Sequence, residues 1–254
     1  MDDTAAQPFP QRIAQLEAEL AAARREMHDF TYTVSHDLRA PLRHIVSYSQ
    51  LVQEDAGPQL TTEVQGFLGT ISDSANNLGA MLDALLDLSR VGTMALHCTI
   101  VPLQPLVQET VDALTAKQGQ PMVTWRIDAG LPSVVADVHL LGQALQQVLA
   151  NALQFTANRD GAAVEISASR DISHGTVTLT IRDNGIGFAP EYANQLFQPF
   201  KRLHTARQGA GVGMGLALTR KLVERLEGTA RIAGVMDGGC TVMLTLPDGG
   251  VSPD

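Results

Sequence analysis

Between residues 10 and 55 the apolar positions recur in steps of three and four. Ile13, Leu16, Leu20, Ala23, Met27, Phe30 and Val34 make a heptad seam, and Leu38, Leu42 and Ile45 continue the stripe. This spacing predicts one long helix whose first part is a parallel coiled coil running directly into the segment around His36. Asp55-Ala56-Gly57-Pro58 breaks it. A second helix follows to about Arg90, with Val64, Phe67, Leu68, Ile71, Leu78, Leu82, Leu85 and Leu86 on one side. A hairpin of two such helices leaves a broad apolar face in water. Pairing two copies into a four-helix bundle buries that face.

Beyond Val91 the pattern changes. Val91 to Pro105 reads as a linker and a first short strand, and Leu106 to Ala116 as a helix. Met122 to Ile127 and Val134 to Ala136 read as strands, and Asp137 as the N-cap of a helix reaching Phe155. Two alternating strands follow, with Val164, Ile166 and Ala168 and then Val177, Leu179 and Ile181 inward. Leu218, Leu222 and Leu226 mark a helix closed by Gly228. Strands near Thr229 to Ile232 and Cys240 to Leu246 complete an α+β layer, and the tail from Asp248 is expected to be loose.

Composition narrows the choice. The 254 residues suffice for two small domains, and 44% hydrophobic content suits a globular chain. A net charge of -9 argues against nucleic acid or an anionic membrane as the main partner. No apolar run approaches the ~18 residues of a spanning helix. The opening MDDTAAQPFPQ lacks a basic stretch followed by an apolar one, so it is not a secretion signal. Cys98 and Cys240 fit no metal spacing and read as reduced, buried thiols of a cytoplasmic protein.

Four short segments carry the chemistry. In SHDLRAPL (35–42), helical rotation of about 100° per residue places His36 opposite the sector of Val34, Leu38, Leu42 and Ile45, hence toward solvent. Pro41 removes the amide that would bond the Asp37 carbonyl, so the helix should bend there. Asp37 supplies a carboxylate that can hold one imidazole nitrogen and make the other a better nucleophile. In the helix ending NALQFT (151–156), Gln143, Gln147, Asn151 and Gln154 form a stripe of uncharged carboxamides that suggests a lined cavity. An oxygen from Asn151 would suit a hard cation such as Mg²⁺. In DNGIG (183–187), Gly185 and Gly187 permit a tight turn, and Asp183 can accept from an exocyclic amino group. DNG alone is equally the sequence of a plain turn. In GVGMGLAL (211–218), Gly211, Gly213 and Gly215, with Gly209 before them, precede a helix led by Leu216, whose free amides offer an anion site. Lys201 to Ala210 reads as a lid from which Lys201 and Arg202 reach a phosphate.

In this order and spacing the four segments resemble the sensor histidine kinases of two-component signalling, over residues 20 to 247. SHDLRAPL looks like the H box, NALQFT like the end of the N box, DNGIG like the G1 box, LFQPFKRLH (196–204) like the F box and GVGMGLAL like the G2 box. HDLRAPLR and FKRLH are most similar to phytochrome-like soluble kinases. The resemblance implies an α+β architecture. A helical hairpin forms a dimeric four-helix bundle, and an α/β sandwich of the gyrase and histidine-kinase type binds ATP. It implies a coiled-coil signalling helix over 1–27, a dimerisation and phosphoacceptor domain over 28–92, a linker and first strand over 93–103, the ATP-binding domain over 104–248 and a flexible tail over 249–254. It makes His36 the phosphoacceptor, Asp37 its assistant, Asp183 the adenine acceptor and Asn151 the Mg²⁺ ligand. The implied partners are a second copy, a response-regulator receiver domain and an upstream sensor acting through the N-terminal helix.

Three positions depart from the family pattern. Gln147 stands where an asparagine is usual, Gln154 where a lysine is usual, and Ala40 where Thr or Asn is frequent. Gln147 and Gln154 favour an alternative, a non-catalytic dimeric phosphotransfer or scaffold protein with a degenerate ATP domain. Asp183, Asn151 and the glycines oppose it. An anti-sigma-like regulator of the same ATPase fold is disfavoured by the histidine hairpin.

Overall fold

The structure, a computed structural model, describes residues 9–92, 94–117, 123–203 and 211–250. The chain forms two compact units, Met1–Met94 and Ala95–Asp254.

The first unit is a helical hairpin. α1 spans Phe9–Ala56 with Pro41 inside it. A single 3-10 turn, Gly57–Gln59, follows where Gly-Pro stops the helix. α2 spans Thr62–Val91 and is capped by the Thr61 hydroxyl, which accepts from the Val64 amide. α1 and α2 pack on each other. The sequence reads Val34, Leu38, Leu42 and Ile45 as one stripe, but the hairpin divides it. Thr31, Ser35 and Ser49 are buried and Leu42 and Val46 half-buried, so the side of α1 turned to α2 is small and partly polar. Val34, Leu38 and Ile45 stay exposed on a second stripe. α2 divides in the same way. Ala75, Leu82 and Leu86 are buried at heptad spacing, while Val64, Phe67, Ile71 and Leu78 are exposed.

The second unit is an α/β layer pair. Its elements are β1 (Thr99–Pro102), α3 (Leu103–Lys117), β2 (Thr124–Ile127), β3 (Ser133–Ala136), α4 (Val138–Thr156), β4 (Ala163–Asp171), β5 (Thr176–Asp183), α5 (Gly215–Arg225), β6 (Thr229–Val235) and β7 (Gly239–Pro247). A five-stranded sheet has the order β2-β4-β5-β7-β6, with only β2–β4 parallel, and β1–β3 form a separate antiparallel pair. Alternate residues of the large sheet, Ile166, Leu179, Ile181, Leu244 and Leu246, are fully buried with Leu140, Leu141, Leu145 and Leu149 of α4 and Leu222 of α5. α4 packs against both α3 and α5. Among the described residues no helix is long and apolar enough to cross a membrane.

Several sequence expectations need correction. α3 starts at Leu103, ahead of Pro105, because proline in a first turn forfeits no helical bond. Ala168 shares the inward face of Val164 and Ile166 and pairs with Leu179, but it is only half-buried. The left-handed residue ending α5 is Glu227 (φ 59°), not Gly228. Gly228 is required because a Cβ there would strike the Thr245 carbonyl. Cys98 is exposed and only Cys240 is partly covered. The end of the chain is tied down as far as Gly250. The Asp248 amide donates to the Gly175 carbonyl (2.9 Å), its carboxylate takes Arg170 (2.7 Å), and the Gly249 amide donates to the Ser133 carbonyl (3.1 Å). Residues 251–254 lie outside the described residues, as do Met122, Gly209 and most of the expected lid.

Candidate active site

His36 projects from α1, and its side chain and that of Asp37 are 70% and 73% exposed. Nδ1 of His36 lies 3.2 Å from Oδ1 of Asp37. The Tyr32 ring, one turn earlier, stacks on the imidazole with centroids 6.5 Å apart. Arg39, on the following turn, bonds Asp83 of α2 at 2.6 Å and ties the two helices beside the histidine. His28, by contrast, bonds Ser89 of α2 through Nδ1 (3.1 Å).

In the second unit the carboxamide helix, the DNGIG turn and the glycine segment converge on α4. The Asp137 carboxylate caps α4 by accepting the His139 and Leu140 amides, and its other oxygen accepts the His97 amide. These amides hold its pKa below the usual value against the opposing effect of burial. Gln147, Asn151 and Gln154 are half-buried along α4, whereas Gln143 is exposed. A Cβ on Gly215 would come within 2.9 Å of Gln147 Oε1 and 3.5 Å of Asn151 Nδ2, so glycine lets the start of α5 lie against both carboxamides. Met214 at the N-cap contributes no side-chain cap, which leaves the first amides of α5, including those of Gly215 and the half-buried Leu216, without that partner.

Asp183 ends β5, in register with Val164 of β4 and Cys240 of β7. It is 7% exposed. Its Oδ1 accepts the Gly185 amide at 2.8 Å and the Cys240 amide at 3.2 Å. Among the described residues Oδ2 has no hydrogen-bond donor. Burial raises the carboxyl pKa, and the two amides partly offset that. Gly187 takes φ 57°, and a Cβ there would meet the Val235 and Gly239 carbonyls, so the turn lies flat under the β6–β7 hairpin. Gly213 (φ 75°) sits against Lys201 and Arg202, where a Cβ would come within 2.9 Å of the Arg202 Cγ. The Phe200 amide donates to the Gly213 carbonyl (3.0 Å) and closes the base of the segment carrying the exposed Lys201 and Arg202. Gly211 is exposed, and residues 204–210, with the end of the F box at His204, lie outside the described residues.

Two further residues hold this turn. Asn184 accepts the Ala163 amide (2.9 Å) and donates to the Gly161 carbonyl (3.0 Å). Asn in a turn is a legible signal for such local bonding. Arg159, just past α4, reaches the Gly185 carbonyl (3.1 Å) and Asp237. Nothing in the spacing of the sequence marks it.

A family of phosphoacceptor domains, described as the His Kinase A (phospho-acceptor) domain, matches residues 26–93. The histidine kinase-, DNA gyrase B-, and HSP90-like ATPase family matches residues 136–250. Cyanobacterial phytochrome B of Nostoc sp. is 32% identical over 237 residues, which cover 93% of this chain and 31% of that protein. Cell-division control histidine kinase PdhS of Brucella suis is 28% identical, with 91% of this chain and 24% of that protein covered. The chain thus spans less than a third of the length of either relative. Full-length ShkA, solved in complex with AMPPNP, aligns over 89% of this chain and 47% of its own with a TM-score of 0.62 and 23% identity, a likeness of fold. With a phosphoacceptor hairpin in its first unit and a gyrase-like ATPase in its second, the chain belongs to the sensor histidine kinases.

Proposed function

We propose that this chain is an ATP-dependent, homodimeric protein-histidine kinase that phosphorylates its own His36 and passes the phosphoryl group to an aspartate of a response-regulator receiver domain. The adenine amino group donates to Oδ2 of Asp183. That oxygen is the observation that supports the reading most, because the protein's own amides occupy only Oδ1. The phosphates lie toward Gly211, Gly213 and Gly215 and the first amides of α5, with Lys201 and Arg202 available to the terminal phosphate.

Asn151 suits Mg²⁺, since a hard cation with several waters needs only one carboxamide oxygen besides phosphate oxygens. The ion, when bound, neutralises charge between the phosphates. His36 Nε2 attacks the γ-phosphorus as the bond to the β–γ bridging oxygen breaks, leaving ADP. Asp37 accepts a hydrogen bond from Nδ1–H and stabilises the cationic ring that forms. Positioning and charge neutralisation carry most of the acceleration. Exposed apolar stripes on both helices support a second copy as partner, and the N-terminal end of α1 is the route for an upstream sensor in the cytoplasm. A non-catalytic reading would rest on Gln154, which brings no charge to the phosphates. One measurement separates the two. Incubation with γ-labelled ATP and Mg²⁺ should give acid-labile label in the unmodified chain and none in Asn151→Ala; no label in either would leave the non-catalytic reading.

A further inference from the structure

The DNGIG turn is built from two glycines and packs against backbone on both sides, so something must fix the turn residue that, with the Cys240 amide of β7, orients Asp183. That residue is Gly185. Its amide donates to Asp183 Oδ1 at 2.8 Å, and its carbonyl accepts from Arg159 Nη2 at 3.1 Å. The same Nη2 lies 2.7 Å from the Asp237 carbonyl and 3.2 Å from the Asp237 carboxylate, at the tip of the β6–β7 hairpin. The Ile186 carbonyl accepts the Asp237 amide (2.8 Å), and the Ile186 amide donates to the Phe155 carbonyl of α4 (3.3 Å). Nε of Arg159 is buried without a partner, so the guanidinium is held by its outer edge on these oxygens. The side chain is 31% exposed, and none of the chemistry described above employs it.

We propose that Arg159 is the positioning residue of the adenine acceptor. It fastens the Gly185 carbonyl to the hairpin, so that the backbone at Gly185 cannot turn and the amide on the other side of its Cα stays on Oδ1 of Asp183, which presents Oδ2 to the amino group of the base. This rests on the reading of Asp183 given above. Arginine suits the role because its Nη2 carries two N–H donors on a permanently charged, planar group and reaches the Gly185 and Asp237 carbonyls at once. Removing the cation leaves the Gly185–Ile186 peptide held only through the Ile186 amide, loosens the backbone at Gly185, and weakens only the contact made through Asp183.

The test compares ATP with inosine 5′-triphosphate on the full chain. The inosine nucleotide carries an acceptor oxygen where adenine carries the amino group, so it cannot donate to Asp183 from that position. Loss of one charged hydrogen bond's worth of ordering should raise the Kd for ATP about tenfold in Arg159→Ala and the Kd for inosine triphosphate by less than about twofold. The autophosphorylation rate at saturating ATP should be unchanged. Arg159→Lys should fall between, and it carries the test if the alanine variant does not fold. Asp237→Ala, which keeps the carbonyl, should lose less than Arg159→Ala. Equal loss for both nucleotides, or a fall in the saturated rate, would overturn the proposal by showing a general structural role. Asp183→Asn is the reference. If it loses the preference for ATP while Arg159→Ala keeps it, Arg159 is not the positioning residue. If Asp183→Asn keeps the preference, the adenine reading itself fails and the proposal with it.

Discussion

Nδ1 of His36 lies 3.2 Å from the carboxylate of Asp37 on the next residue, and both side chains face open water. With the proton on Nδ1, the free lone pair of the ring is on Nε2. An adjacent carboxylate of this kind orients the ring and stabilises its positive charge during attack. His36→Gln should abolish acid-labile labelling and leave ATP affinity unchanged, because the nucleotide residues all belong to the second unit. Asp37→Asn should slow labelling about 100-fold, the usual scale for loss of such assistance. His28→Gln should still be labelled, since its Nδ1 is committed to Ser89. Label persisting in His36→Gln, read by proteolysis and mass mapping, would place the phosphoacceptor elsewhere.

The Asp183 carboxyl titrates above its ordinary 3.8 because it is buried, with the Gly185 and Cys240 amides opposing the rise. A raised carboxyl pKa adds stability that is fully present below the unfolded value and is lost as pH rises through the folded one. Without nucleotide, the Asp183 contribution to stability should therefore fall away as pH rises above about 4. Asp183→Asn should lack this loss. Its carbonyl can accept both amides, but its NH₂ then stands where the base requires an acceptor. Melting curves against pH, with and without ATP, should show a variant at least as stable as wild type at neutral pH and unresponsive to ATP. A destabilised variant that still binds ATP would contradict both halves.

The Asp248 carboxyl is held below the usual range by Arg170, with the Gly250 amide adding to the effect. The sign is opposite here. A depressed pKa gives stability present above the unfolded value and lost as pH falls through the folded one. The ion pair is mostly covered and joins the end of β4 to the end of the chain. Ending the chain at Pro247, or making Asp248→Ala, should lower Tm at neutral pH, and the difference from wild type should shrink toward pH 3. An unchanged Tm would show that the terminal segment carries no load.

How far these features can be read from the sequence depends on whether the bonding is local. Asp137 as a cap, the helix break at Gly57-Pro58 and the alternation of β5 all express near-neighbour physics and stand as the sequence suggests. The Arg170–Asp248 pair joins residues 78 apart, as does Arg159–Asp237, and no periodicity reports such a contact. The convergence of Gln147, Asn151 and Gly215 depends on α4 meeting α5, which the motifs suggest only jointly. The apolar stripe of α1 misled in a different way. Heptad spacing marks every apolar position alike, and only the hairpin distinguishes those facing α2 from those left outside.

That division makes the dimer testable in a way the sequence alone does not. Leu82, Leu85 and Leu86 all read as bundle core, yet Leu82 is 7% exposed within a single chain, packed in the hairpin itself. Ile71 and Leu78 are each 45% exposed on the stripe that continues from Val64 and Phe67. If a second copy covers this stripe, Ile71→Asp or Leu78→Asp places a charge in the interface at a cost of about 3–5 kcal/mol unless it is paired. Because the hairpin seam is untouched, circular dichroism should show the helices retained while light scattering at micromolar concentration gives a monomer. Leu82→Asp should instead lose helical signal and stability, because its charge is forced between α1 and α2 of the same chain. A dimer that survives both stripe substitutions, or a wild type that is already monomeric, would mean that something other than a second copy covers these residues.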